Sequence, residues 1–248
     1  MIWYYQMTKR IFMSFGGPTY NYHCAVKRIC KEAATFELFD RIIELTEKDL
    51  LTETDFWRTH APHFRRNMRG FGYYLWKSFL IKQFLEQMED NDLLFYSDAG
   101  CVLNLQGKAR MMEYFKLANT SPNGIVAFQL QDHLEKTWTK MDTITFLNAT
   151  NLLDTDQVIT TAFIIKKCPE SISLINKWYE VCCNYHLIDD SPSIVPNDPS
   201  FRDHRHDQSV WSILIKQSNG TILKDETWFD PWSNGTEFPV WALRKRNG

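Results

Sequence analysis

Leu93-Leu94-Phe95-Tyr96-Ser97-Asp98-Ala99-Gly100, residues 93–100, is an apolar run that delivers one acid into a turn of small residues. An unbroken run of this length reads as a strand buried on both faces. In open α/β sheets the ends of such strands are where ligands bind. A carboxylate placed there can hold a divalent cation, and the cation can hold a diphosphate. Asp98 can equally cap the next segment or close an Asx turn.

Working outward, Arg10–Phe15 reads as a first strand, stopped by Gly16-Gly17-Pro18. Helical spacing follows over 22–35 and a second strand over 39–45, the unit of a parallel sheet. Residues 47–69 read as short helices over the sheet, and Trp76–Met88 as an amphipathic helix feeding the 93–96 strand. Further helices are expected over 108–117, 140–149, 171–185 and 206–217, and strands over 125–130 and 157–165. Residues 189–199 read as a loop and 221–248 as a short strand with an aromatic tail. The run Arg244-Lys245-Arg246 reads as a solvated terminus. With no linker composition anywhere, the expectation is one α/β domain over 1–248 with a mixed, mostly parallel sheet and helices on both faces. Its first half, about 9–105, is nucleotide-binding in style, and about 106–248 supplies the acceptor side.

The 248 residues suffice for a sizeable core, and a net charge of −2 argues against a nucleic-acid or anionic-membrane partner. Aromatic residues make up 15% of the chain, with nine Trp and ten Tyr, rings that suit cores and sugar-facing surfaces alike. The six Cys form no CxxC pair and share no zinc spacing with the seven His, which fits reduced, buried thiols. Met1–Tyr5 is too short an apolar stretch for a signal peptide or a membrane span. The expectation is therefore a soluble, cytoplasmic protein whose sequons at Asn148, Asn219 and Asn234 go unused.

Four clusters fall at or near expected strand ends. Phe15-Gly16-Gly17 can let backbone approach a ligand, or serve as a plain turn. It is neither GxGxxG nor a P-loop. Arg69-Gly70-Phe71-Gly72-Tyr73-Tyr74-Leu75-Trp76-Lys77 puts two cations at a helix start, which suits a diphosphate or simply packs rings. Asp98 is the third. The fourth is Arg205-His206-Asp207-Gln208, where Asp207 is either an N-cap or a general base, and His206 a phosphate or metal contact. Asp156 offers a second acid before a strand, and Trp138-Thr139-Lys140-Met141-Asp142 adds a ring, a cation and a carboxylate, or ordinary surface charge.

Taken in order, Gly72–Lys77, Tyr96–Cys101, Trp138–Asp142, Gln157–Ile165 and Asp207-Gln208 resemble the small nucleotide-sugar-dependent glycosyltransferases of the GT-A fold, the capsular-polysaccharide-type and large-DNA-virus group. The likeness spans about residues 9–217. It implies a GT-A-like domain taking a UDP- or GDP-sugar donor and a glycan acceptor. Phe15 and Gly16 would line the nucleobase pocket, Asp98 would stand at the first carboxylate of the Asp-x-Asp motif, and Arg69 and Lys77 would contact the diphosphate. Asp98, with His206 as a late ligand, would hold Mn²⁺. Asp207, then Asp156, would be the base. Trp138, Lys140, Asp142 and Gln208 would face the acceptor or the donor sugar. One departure stands out: Gly100 occupies the place of the second Asp. A metal-dependent phosphoesterase or nuclease, or a carbohydrate-binding module without chemistry, are the competing classes.

Overall fold

In the computed structural model, which describes residues 8–66 and 69–246, the apolar runs become strands buried on both sides. Along β1 (Arg10–Phe15), Ile11, Met13 and Phe15 face one core and Phe12 the other. β3 (Leu93–Ser97) divides the same way, with Leu94 and Tyr96 opposite Leu93 and Phe95. β2 (Arg41–Leu45) pairs parallel with β1, and β1 parallel with β3. A short β4 (Val102–Leu103) pairs antiparallel with β9 (Val240–Trp241) in a separate ribbon. β5 (Ile125–Leu134), β6 (Asp156–Val158), β7 (Ala162–Lys166) and β8 (Thr221–Lys224) complete the main sheet. There β7 joins β3 to β5 antiparallel, β6 runs antiparallel to β5, and β8 runs parallel to it.

Helices cover both faces of this α/β sheet. Tyr20–Thr35 and Lys108–Thr120 pack Val26, Ile29, Met111 and Phe115 on one face. Leu75–Gln87, Pro169–Cys182 and His206–Gln217 pack Ile81, Trp178 and Trp211 on the other. Each such side chain, fully buried, contributes about 1.5–3 kcal/mol. The indoles of Trp178 and Trp211 lie 4.8 Å apart, and Trp211 lies 4.6 Å from Phe163 of β7. This stack fixes the middle of the last helix against the sheet.

The expected 157–165 strand is interrupted. Val126 pairs with Ile164 and Gln129 with Val158, so three steps along β5 face six along its partner. The carbonyls of Gly124 and Phe128 accept from Lys166 and Ile159, so β6 and β7 follow one edge of β5; Gln129 turns its carbonyl the other way, to Asp225. The extra residues bulge at 159–161, and bulges recur beside functional sites because they free backbone groups from the ladder. The expected 140–149 helix is shorter, Met141–Phe146, because Asn148 takes a positive φ of 52°. Conversely, β5 runs on to Leu134, four residues past the expected end.

All six cysteines are free thiols. No helix among the described residues is long and apolar enough to cross a membrane. Met1–Tyr5 and residues 67–68 of the 47–69 span lie outside the described residues.

Candidate functional site

Asp98 follows the C-terminal end of β3 and is held from both sides. Its backbone N–H donates to Thr161 O in the bulge at 2.8 Å. Its Oδ1 accepts from the Tyr96 hydroxyl at 2.8 Å and lies 2.9 Å from Lys77 Nζ. The ammonium is 2% exposed, donates to Thr160 O at 3.1 Å, and is ringed by Tyr74, Trp76 and Tyr96 at 5.2–5.8 Å. Burial alone would lower the Lys77 pKa, but Asp98 and Asp207 outweigh it and hold the group above its ordinary value, hence charged. Asp98 itself keeps 37% of its side chain exposed, and its Oδ2 makes no hydrogen bond among the described residues.

Asp207 is the second residue of the last helix, not its N-cap, which is Arg205. It is 2% exposed, Trp178 Nε1 donates to its carbonyl at 3.1 Å, and its Oδ2 is buried without a partner. Burial pushes its carboxyl up to about 7, with Lys77 opposing and Asp98 adding to the rise. A carboxyl poised near neutrality with one oxygen uncommitted is suited to move a proton. Gln208 ties this helix to the bulge: its Oε1 accepts from Thr160 N at 3.4 Å, and its Nε2 donates to Gln157 at 2.9 Å.

Five consecutive residues, Gly70 to Tyr74, have positive φ, between 50° and 84°. Each non-glycine residue so wound costs roughly 1–2 kcal/mol, strain of the kind that collects at functional sites. Gly72 is required: a Cβ there would meet the Phe64 ring at 2.9 Å, on a φ of 84°. The turn brings the Tyr73 and Tyr74 rings to 5.1 and 6.1 Å from the His206 ring. His206, also at positive φ, has Nδ1 2.7 Å from Ile188 O, while burial lowers its pKa and keeps it neutral. That contact assigns the proton to Nδ1 and leaves an acceptor lone pair on Nε2, which is buried without a hydrogen bond, 3.8 Å from Asp190 Oδ1.

The other expected site residues have packing partners. Phe15 stacks on Trp76 at 3.9 Å, so that ring face is covered. A Cβ on Gly16 would stand 2.2 Å from Tyr22 O, so the glycine lets the Tyr20–Thr35 helix approach β1. Arg69, half-exposed, reaches Asp190 at 2.9 Å and Asp203 at 2.7 Å. Asp156 accepts from the His133 N–H at 2.6 Å. Trp138 carries the Arg205 guanidinium over its ring at 4.3 Å.

Lys140 and Asp142 are not surface charges. Lys140 is 2% exposed and donates to Asp189 and Ser191; Asp142 accepts from His186 and from the backbone of Ile194 and Val195. Together they clamp the aperiodic 189–199 loop, a job that composition could not disclose because it depends on contacts about 50 residues away.

Sequence reading gives no role to four residues in or beside these motifs. Tyr96 sits inside the quoted motif but was assigned no role. Thr160 was hidden inside an apparent strand. Arg205 opens the fourth motif without a role of its own, and Arg244 belongs to the run expected to be solvated. In the structure that tail is docked: Lys245 N donates to Gly100 O at 2.8 Å.

The donors around Asp98 do not suit a divalent cation, which takes several oxygens. One oxygen of Asp98 is committed to an ammonium and a phenol, and Gly100 brings none. No group of three His, Cys, Asp or Glu among the described residues is placed to hold a metal. A cavity of about 780 Å³ opens at the far end of β3, by Met88–Asn91 and Lys166–Lys167, and a smaller one between the 75–87 and 169–182 helices; neither includes Asp98 or Asp207.

No protein-family model and no curated protein matches the chain. Among solved structures, it is similar to a glycosyltransferase involved in glycosylation of the major capsid of PBCV-1, with 15% identity over 94% of this chain and 90% of that one and a TM-score of 0.48. It is also similar to mouse xyloside xylosyltransferase 1, apo form, with 12% identity, 92% and 90% coverage and a TM-score of 0.47. A third similarity, to mannose-6-phosphate isomerase from Helicobacter pylori, has 11% identity, 74% and 82% coverage and a TM-score of 0.36.

Proposed function

We propose that the protein is a glycosyltransferase of the GT-A type, moving a sugar from a UDP- or GDP-sugar to a hydroxyl of a glycan acceptor. The observation that carries this reading is the Asp98–Lys77–Asp207 assembly, a buried ammonium paired with Asp98 at 2.9 Å and within the charge of buried Asp207, where β3, the bulge and the last helix meet. The ordered motifs supply the substrate class. Asp98, locked through Oδ1, presents Oδ2 to a hydroxyl of the donor. Transfer builds oxocarbenium character at the sugar while the diphosphate leaves, so the acceptor hydroxyl must lose a proton as the bond forms. Asp207 takes that proton on Oδ2, and Lys77 steadies the carboxylate before transfer.

The test is a thermal-shift screen of nucleotide-sugars, followed by donor hydrolysis and transfer assays. A UDP- or GDP-sugar raises the melting temperature by linkage. Asp98→Asn lowers turnover on that donor about a hundredfold or more. Full turnover in Asp98→Asn would remove the assigned role. Phosphate release from simple esters, with no response to any nucleotide-sugar, would replace the reading with the hydrolase.

A further inference from the structure

The last described residues are built into the Asp98 turn. Lys245 N donates to Gly100 O at 2.8 Å, and one nitrogen of Arg28, Nη2, donates to Ala99 O and Cys101 O at 2.8 Å and to Lys245 O at 3.1 Å. A single guanidinium thus joins the two sides of the turn to the tail. Arg246 lies over Tyr22 at 5.7 Å, a second attachment to the 20–35 helix. A Cβ on residue 100 would point at the backbone of Arg244, 3.5 Å from its Cα. The tail therefore stands on the side of the turn toward which a second motif carboxylate would project.

Two cations here are unmatched. Neither Arg244 nor Arg205 has a carboxylate within 4.0 Å among the described residues, whereas Arg69 and Arg110 each hold two. Arg205 precedes His206-Asp207 and holds its guanidinium over the Trp138 ring at 4.3 Å. Burial first, and the charge of Arg244 second, pull the Arg205 pKa below its ordinary value, with Asp203 opposing, so each guanidinium feels the other's charge. Holding like charges together is unfavourable until an anion comes between them. The neighbouring assembly has one ammonium for two carboxylates, so an approaching diphosphate needs cations from elsewhere.

We infer that Arg244 and Arg205 form a built-in diphosphate clamp, carried by the C-terminal segment, in the place where a second carboxylate and its metal would otherwise neutralise the leaving group. The nucleotide part of this inference rests on the glycosyltransferase proposal; the anion part does not. Planar guanidiniums suit the task because each can give two parallel hydrogen bonds to phosphate oxygens.

The experiment is calorimetric titration of the full chain with inorganic pyrophosphate, UDP and GDP, in EDTA and again with Mn²⁺. The clamp predicts binding in EDTA that weakens with added salt. Arg244→Ala and Arg205→Ala each weaken pyrophosphate and diphosphate about tenfold or more, Arg244→Lys restores part of the loss, and uridine or guanosine binding does not change. Arg244 is exposed, so its replacement tests the clamp even where Arg205→Ala folds poorly. Gly100→Asp, which sets a carboxylate against Arg244, weakens binding in EDTA as well.

Pyrophosphate that binds only with Mn²⁺, or with equal affinity to Arg244→Ala, overturns the clamp. A UDP- or GDP-sugar that binds with Mn²⁺ regardless of Arg244 leaves the transferase standing and removes the clamp. Pyrophosphate bound in EDTA through Arg244, with UDP and GDP no tighter than pyrophosphate, keeps the clamp and removes the nucleotide-sugar reading.

Discussion

Lys77 and Lys216 are both buried lysines facing acids, yet their surroundings differ in completeness. Lys216 donates to Glu135 and Thr155 at 2.8 Å each, and the fully buried Glu135 is further satisfied by Ser212, Thr139 and Gln157. Lys77 pairs with Asp98 at 2.9 Å and feels the charge of Asp207, which keeps a buried oxygen with no partner. Burial pulls the Lys216 pKa down despite Glu135, while the acid pair holds Lys77 up. A buried polar network with every member satisfied rigidifies a core. An incomplete one costs stability and persists where a ligand or a proton completes it. By that criterion the Lys216 cluster builds the fold, and the Lys77 cluster is the one proposed as the site.

The sharpest way to break this contrast is to neutralise the incomplete cluster. Asp207→Asn should lower transferase turnover by about 10²–10⁴-fold, the usual share of a general base, while leaving the protein folded. An active Asp207→Asn enzyme would make Asp207 a structural residue like Glu135.

Lys216→Met should do the reverse. It strands Glu135 as an uncompensated buried charge, costing about 3–5 kcal/mol in urea unfolding, with donor affinity retained below the transition. Unchanged stability would mean the complete network does not hold the core.

pH sharpens the comparison further. The Asp207 pKa rises from 3.8 unfolded to about 7 folded, so between those values the native state binds more protons than the unfolded one. Stability therefore falls as pH rises from about 4 to 7 and levels off above. Buried His204, lowered to about 3, acts in the opposite sense below its ordinary 6.5. The readout is thus the difference between wild type and Asp207→Asn across that range. A difference that does not vary with pH would place the carboxyl in water.

The smallest effect belongs to Arg69. Its two ion pairs are nearly half-exposed, so Arg69→Ala should cost only about 0.2–1 kcal/mol and weaken further as a loss in high salt. A drop in diphosphate affinity as large as that of Arg244→Ala would return Arg69 to the role the motif order implied.

How much of this was legible in the sequence can be followed residue by residue. Strands 10–15 and 93–97 were readable because apolar runs bounded by small residues have few alternatives. The Asp98 turn was readable for the same reason. The break at 159–161 was not, because Ile, Thr and Thr keep strand propensity whether or not they pair, and the break is set by Asp98, Lys77 and Gln208 competing for their backbone. Lys140 and Asp142 looked like surface charge because their partners lie far along the chain. The tail looked solvated because a basic run carries no mark of the carbonyl it meets.

Local pattern thus determined where the chain forms strands and helices, which turn presents an acid, and that the second motif acid is missing. Only the packed structure decided that Lys77 lies beneath Asp98, that Asp207 is buried with a free oxygen, and that the C-terminal arginines return to the same turn. The reason is physical. Hydrophobic periodicity acts between neighbours along the chain, whereas desolvation and charge pairing depend on which distant groups the folded core brings within a few ångströms.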